Sequence, residues 1–140
     1  MGQYRLGRQS KKRLEGVDPR LVAIVKRAIE LTEQDFTVIE GLRSKRRQKR
    51  LYKQGLSWTM NSKHLTGHAV DIAPWVIVDG RGRVDWKDRE KFSVLKTAMF
   101  AAAKELGIHI RWGGDWNENG SYRDEIARGS YDAAHFELME

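Results

Sequence analysis

The chain has 140 residues, 40% of them hydrophobic and 32% charged, with a net charge of +7 and no cysteine. That length suits one core, and the apolar share excludes wholesale disorder. The missing thiols exclude disulfide scaffolds, thiolate zinc fingers, iron–sulfur clusters and cysteine nucleophiles. Residues 1–17 then read as a basic lead-in without clear period. Asp18-Pro19 is a helix start, with Asp as N-cap and Pro at the first helical position. Leu21, Val22, Val25, Ala28, Ile29 and Thr32 repeat at helical spacing to about Glu33. Asp35 to Glu40 alternates and is β-branched, which predicts a strand ending at Gly41. Ser44 caps a short, very basic helix through Gln54, closed by Gly55.

His68 to Ala73 reads as a second strand. Trp75 to Val78 and the segment around Val84 flank Asp79-Gly80-Arg81-Gly82, a hairpin signal. Asp85 is the expected cap of the longest helix, running to about Leu106. Its buried stripe is Phe92, Leu95, Ala98, Met99, Ala102 and Leu106, and Gly107 stands where a C-terminal cap belongs. Ile108 to Trp112 and His135 to Leu138 are short final strands around a Gly/Asn/Asp-rich loop. The expected fold is therefore one α+β domain over residues 1–140: a small, mostly antiparallel sheet with three or so helices.

Charge and histidine placement carry the functional signal. Residues 1–60 hold 15 Lys/Arg against 6 Asp/Glu, whereas residues 61–140 hold 11 against 13. A basic front half attracts polyanions, either nucleic acid or an anionic cell-envelope polymer. Two of the four histidines lie at 64 and 68, in Ser62-Lys63-His64-Leu65-Thr66-Gly67-His68-Ala69-Val70-Asp71. A third lies in Tyr131-Asp132-Ala133-Ala134-His135-Phe136-Glu137, and His109 sits between two isoleucines, where a structural role is expected. A catalytic zinc needs three protein ligands and an open position for water, and two histidines with one carboxylate supply that set. Gly67 lets the chain turn back between His64 and Asp71. A helical His64-x-x-x-His68 pair is the competing metal pattern, and incidental surface histidines are the bland one.

Ser62-x-His64-x-x-Gly67-x-Ala69-x-Asp71 followed by Asp132-x-x-His135 resembles the signature of the zinc D-alanyl-D-alanine carboxypeptidase superfamily. That superfamily is related to lysostaphin-type peptidases and the hedgehog signalling domain. Three further segments resemble small phage endolysins that are L-alanyl-D-glutamate peptidases. They are Gly41-Leu42-Arg43-Ser44 with Gln48, Asp85-Trp86-Lys87-Asp88, and Gly114-Asp115-Trp116-Asn117. The similarity runs from about residue 5 to the end of the chain. It implies a zinc ion at one end of the sheet, held by His64, Asp71 and His135, with His68 beside the site. It also implies Asp132 as general base, in place of the Glu of many superfamily members, and Arg43 as the stabiliser of the oxyanion. Gln48 and Ser62 match substrate-contacting positions.

The loop Asp115-Trp116-Asn117-Glu118-Asn119-Gly120-Ser121 resembles the first half of an EF-hand calcium loop, but its twelfth position is Ile126 rather than Glu. Asp124 and Glu125 are then the candidates to close a different oxygen cage with Asp115, Asn117 and Asn119. The endolysin resemblance implies regulatory calcium there, and a plain Asn/Gly turn is the alternative.

The implied function is hydrolysis of the L-alanyl–D-glutamate bond in peptidoglycan stem peptides by a monomeric enzyme, expected to have neither a dedicated protein partner nor a separate wall-binding domain. Residues 1–10 are polar and basic, without the apolar segment of a secretory signal. The expectation is an enzyme that waits in the host cytoplasm and reaches the murein after a holin opens the membrane. A D-alanyl-D-alanine carboxypeptidase shares the site, and a basic nucleic-acid-binding module, supported by the run Lys45 to Arg50, is the alternative from another class.

Overall fold

The computed structural model describes residues 2–57, 62–129 and 131–139. Its centre is an antiparallel sheet in the order β1 (Phe36–Glu40), β2 (Ala69–Val78), β5 (His135–Leu138), β4 (Ile110–Trp112), with β3 (Arg81–Val84) paired to the far half of β2. The helices among the described residues are α1 (Arg8–Arg13), α2 (Pro19–Leu31), α3 (Lys45–Lys53), α4 (Arg89–Leu106) and α5 (Arg123–Arg128). A 3-10 turn spans Lys63–Thr66. The α+β class and antiparallel sheet are as expected, with five α-helices where about three were anticipated.

The sequence signals work where a side chain closes them. The Asp18 carboxylate accepts from the Arg20 N–H with Pro19 at the first helical position, so α2 begins as expected and stops at Leu31. The Ser44 hydroxyl accepts from the Arg47 N–H and opens α3. Asp79 and Gly80 both take positive φ, 51° and 78°, which fits a two-residue hairpin between β2 and β3.

Other expectations need correction. Residues 8–13 form α1, which packs on β1; the Ser10 hydroxyl accepts from the Val38 N–H, and Leu6, Leu14 and Val17 enter the core. The two segments expected as separate strands are one strand, β2, running through Pro74. At Pro74 the pairing with β1 ends (Phe36↔Pro74) and the pairing with β3 begins (Trp75↔Val84), so the missing N–H falls where partners change. The cap of α4 is Asp88, whose carboxylate accepts from the N–H groups of Glu90 and Lys91; Asp85 instead accepts from the Lys87 N–H and pairs with Lys91. Leu106 is half-exposed, outside the buried stripe of α4.

One side of the structure is apolar. Leu21, Ile24, Val25 and Ala28 of α2 and Leu95, Met99 and Ala102 of α4 pack with Val38, Val70, Ile72, Ile110, Phe136 and Leu138 of the sheet. The neighbouring strand residues Asp71, His135 and Glu137 line a cleft instead. Strand alternation thus divides β2 and β5 between core and cleft.

Candidate active site

The cleft has a volume of about 730 Å³ and lies where β1 ends and β5 begins. Glu40 of β1 and His135 of β5 both stand opposite Asp71 of β2. The 3-10 turn brings His64 to the same place. The Ser62 hydroxyl accepts from the His64 N–H to open this turn, and Gly67 closes it at φ 76°. The loop before β5 lies against Gly113, where a Cβ would collide with the Asp132 carbonyl, and Gly113 exchanges backbone hydrogen bonds with Asp132 and His135. A glycine is therefore required there for Asp132 to reach the cleft.

His64, Asp71 and His135 each offer a ligand atom, and these atoms all lie within 4.8 Å of one another. This is the one such His/Asp/Glu group among the described residues. His64 Nδ1 is 2.8 Å from the Gly41 carbonyl oxygen, which only accepts, so Nδ1 carries the hydrogen. His135 Nε2 is 2.8 Å from Glu137 Oε1 and donates to it. In the neutral rings, His64 Nε2 and His135 Nδ1 then both aim lone pairs at Asp71 Oδ1, each from 3.2 Å. Three electron-rich atoms converging on one point fit a divalent cation. The Gly41 carbonyl and the Glu137 carboxylate are the partners of the ring nitrogens turned away from Asp71.

The electrostatics describe the same centre without a cation. Burial works against the Asp71 charge, but hydrogen bonds to His135 and His64 outweigh it and keep this carboxyl far below the usual carboxylate range. Burial likewise opposes protonation of His135, yet Asp71 and Glu137 raise its pKa to about 9. Asp132 is open to cleft water but closely surrounded by protein. Burial, and then the nearby charge of Asp71, push its carboxyl up. A carboxyl raised in this way holds a proton more readily and suits proton transfer.

Arg43 lies in the cleft wall with its side chain nearly buried. Its Nε and Nη2 donate to Glu40 at 2.8 and 2.9 Å, and its Nη1 donates to Gln48 Oε1 at 2.6 Å. Burial opposes the Glu40 charge, but Arg43 and Arg47 keep its pKa lowered. A guanidinium has five N–H groups, so two remain for other acceptors. Gln48 is fully buried; besides Arg43 it serves the Ser57 hydroxyl, through Nε2 at 2.8 Å, and it is absent from the cleft lining. Ser62 does line the cleft. His68 stands apart from the His64–Asp71–His135 group, with Nδ1 2.6 Å from the Thr66 hydroxyl and Nε2 3.6 Å from Asp18. His109 is exposed and pairs with Glu118 at 2.6 Å.

The 115–125 segment gathers as a turn bonded to itself. Asn117 and Asn119 both donate side-chain amide hydrogens to Asp124 Oδ2, Asp115 accepts from the N–H groups of Asn119 and Gly120, and buried Glu125 accepts from the Asn117 N–H. Calcium takes six to eight oxygens, whereas amide nitrogens face Asp124 here. The expectation of calcium gains no support.

Sequence reasoning missed the outer partners: Glu137, Glu40, Arg111 and the Gly41 carbonyl. Glu137 had a signal, since an acid two residues after a strand histidine shares its face. A backbone carbonyl has none.

Two imidazoles and a carboxylate, brought together by two strands and the 3-10 turn, with a second carboxyl beside them in an open cleft, define the class: a hydrolase-like centre whose residues could hold a metal ion. The comparisons with known proteins narrow it. A family model of the phage L-alanyl-D-glutamate peptidases matches residues 1–139, and the chain belongs to that family. It is 42% identical over 139 residues to the L-alanyl-D-glutamate peptidase of Escherichia phage T5, covering 97% of this chain and 98% of that protein. A second relative, the L-alanyl-D-glutamate peptidase of Listeria phage A118, is 38% identical over 87 residues, 59% of this chain and 27% of its own length. Among solved structures, the Serratia marcescens L-Ala D-Glu endopeptidase ChiX superposes with a TM-score of 0.76 at 34% identity, covering 96% of this chain and 90% of that one.

Proposed function

We propose that this chain is a zinc-dependent endolysin that hydrolyses the L-alanyl–D-glutamate bond of peptidoglycan stem peptides. The observation that carries the reading is the convergence of His64, Asp71 and His135 beside Asp132 in one cleft, in a chain of this peptidase family. His64 Nε2, Asp71 and His135 Nδ1 are the proposed zinc ligands. Two imidazoles and a carboxylate suit zinc and leave a position for water. When bound, zinc supplies Lewis acidity that polarises an amide carbonyl and lowers the pKa of a water to about 7.

The chain's own residues do the rest. Asp132 takes a proton from the attacking water and returns it to the leaving amine nitrogen, a transfer favoured by its raised pKa. Arg43, fixed by Glu40 and Gln48, directs its remaining N–H groups at the charge developing on the carbonyl oxygen. Gln48 acts by holding Arg43, and Ser62 at the cleft lining contacts the substrate.

The basic residues of α3 extend the reading to the anionic envelope. Lys45, Arg46, Lys49, Arg50 and Lys53 are exposed on the helix whose Arg47 and Leu51 line the cleft. Activity on intact murein should therefore fall more steeply with salt than activity on a short stem peptide, because exposed charges are screened within about 8 Å at physiological salt. Equal salt dependence would remove this attraction from the reading. No helix among the described residues is long and apolar enough to cross a membrane. Release into the murein layer through a holin-opened membrane completes the proposal.

Mass spectrometry of purified murein after digestion tests the bond assignment. New fragments that begin at a free D-glutamate amine, lost with a chelator, are expected. Release of terminal D-alanine would move the chain to carboxypeptidase activity, and binding to duplex DNA without any murein product would move it to a nucleic-acid role.

A further inference from the structure

Glu137 is nearly buried, at 5% exposure, yet it has three polar side-chain partners. Its Oε1 accepts from His135 Nε2 at 2.8 Å, its Oε2 accepts from Arg111 Nη2 at 2.8 Å, and Lys63 Nζ lies 3.2 Å away. In the sheet, Arg111 of β4 is its direct cross-strand partner, and Ala69 of β2 lies opposite on the other side. Alternation along β5 places His135 and Glu137 on the cleft side while Phe136 and Leu138 enter the core.

We propose that Glu137 is the positioning residue of the metal centre: it holds the hydrogen of His135 on Nε2 and so commits Nδ1 to the cation. Arg111 and Lys63 keep the carboxylate in place. Arg111 also places its guanidinium 5.3 Å from the Trp116 ring centre, and Trp116 packs on His135 with ring centres 5.2 Å apart. His135 is thereby gripped from its edge and from its face. His64 has a different holder, the Gly41 carbonyl, which carries no net charge. The two imidazoles therefore differ in the nitrogen turned away from Asp71: that of His64 meets a neutral carbonyl and that of His135 a carboxylate, which raises the basicity of the His135 nitrogen facing the metal.

This inference rests on the zinc reading above, and the test separates the two. The first measurement is zinc content and zinc affinity of the unaltered protein, by competition with a chromogenic chelator. Absence of stoichiometric zinc would overturn the metal reading itself, and this proposal with it. Given zinc binding, Glu137→Gln retains an oxygen acceptor and the side-chain shape while losing the charge. It should weaken zinc affinity about tenfold, and Glu137→Ala up to about a hundredfold. Affinity unchanged in Glu137→Gln would overturn the positioning role while leaving the metal reading intact. A measurement on the unaltered protein guards against variants that misfold. Nitrogen-15 NMR of the zinc-loaded chain should show His135 protonated at Nε2 and metallated at Nδ1, and the reverse assignment would contradict the proposal.

Discussion

The apolar half and the cleft half of this molecule share the same strands but follow opposite rules. On the core side, Phe136, Leu138, Ile72 and Val70 meet α2 and α4 through many small, interchangeable contacts. On the cleft side, each polar group has a specific partner: Gly41 for His64, Glu137 for His135, Glu40 and Gln48 for Arg43. Stability lies mainly in the first region, and chemistry in the second. Some cleft groups work against stability, because Asp132 is held where burial and the Asp71 charge disfavour its ionised form.

The sharpest way to break this contrast is Asp132→Asn. Loss of the proton acceptor should lower kcat by about 10²–10⁴-fold, with zinc still bound. In the chelated protein the same change should raise Tm at pH 7. Because its folded pKa lies above the unfolded value of 3.8, ionised Asp132 costs stability at neutral pH. The gain should fade as the pH falls below about 4, where both states are protonated. A drop in Tm at pH 7 would show that Asp132 supports the fold.

Leu95→Ala probes the other side. Leu95 is fully buried in α4, remote from the cleft lining, so truncation should cost about 2–5 kcal/mol of stability. Urea unfolding measures this loss. The kcat of the folded fraction should stay near that of the parent, and a matching collapse in kcat would mean that core and cleft are coupled.

A smaller effect is expected at Asp18, where the helix cap joins the two regions. Asp18→Ala should cost about 1 kcal/mol. The side-chain and backbone hydrogen bonds with Arg20 hold the Asp18 pKa at about 2, below its unfolded value. The cap's contribution is thus complete above about pH 4 and lost as the pH falls through 2. Thermal melts of parent and variant should converge over that range.

The sequence carried the features that rest on single side chains in fixed places. Asp18-Pro19, Ser44, the Asp79-Gly80 turn and Gly107 punctuate the chain where they were expected to. The family resemblance of the two His/Asp motifs pointed to the three residues that converge as a candidate metal group. What was hidden depends on tertiary contact. Helix α1 has no side-chain cap and takes its place from Ser10 meeting Thr37 and Val38. The continuity of β2 through Pro74 depends on which neighbour each half pairs with. Asp85 and Asp88 are equally good caps by residue type, and Lys91 reaches both. Six polar-rich residues of α5 carry too little apolar pattern to announce a helix. Gln48 reads as a substrate contact by motif, while its buried amide is spent on Arg43 and Ser57.

Metal analysis of the purified protein beside its His64→Ala and Asp132→Asn variants tests the central claim most directly. The account predicts one zinc per chain in the parent and in Asp132→Asn, and loss of that zinc in His64→Ala. Zinc retained undiminished in His64→Ala, or absent from the parent after incubation with the metal, would contradict it.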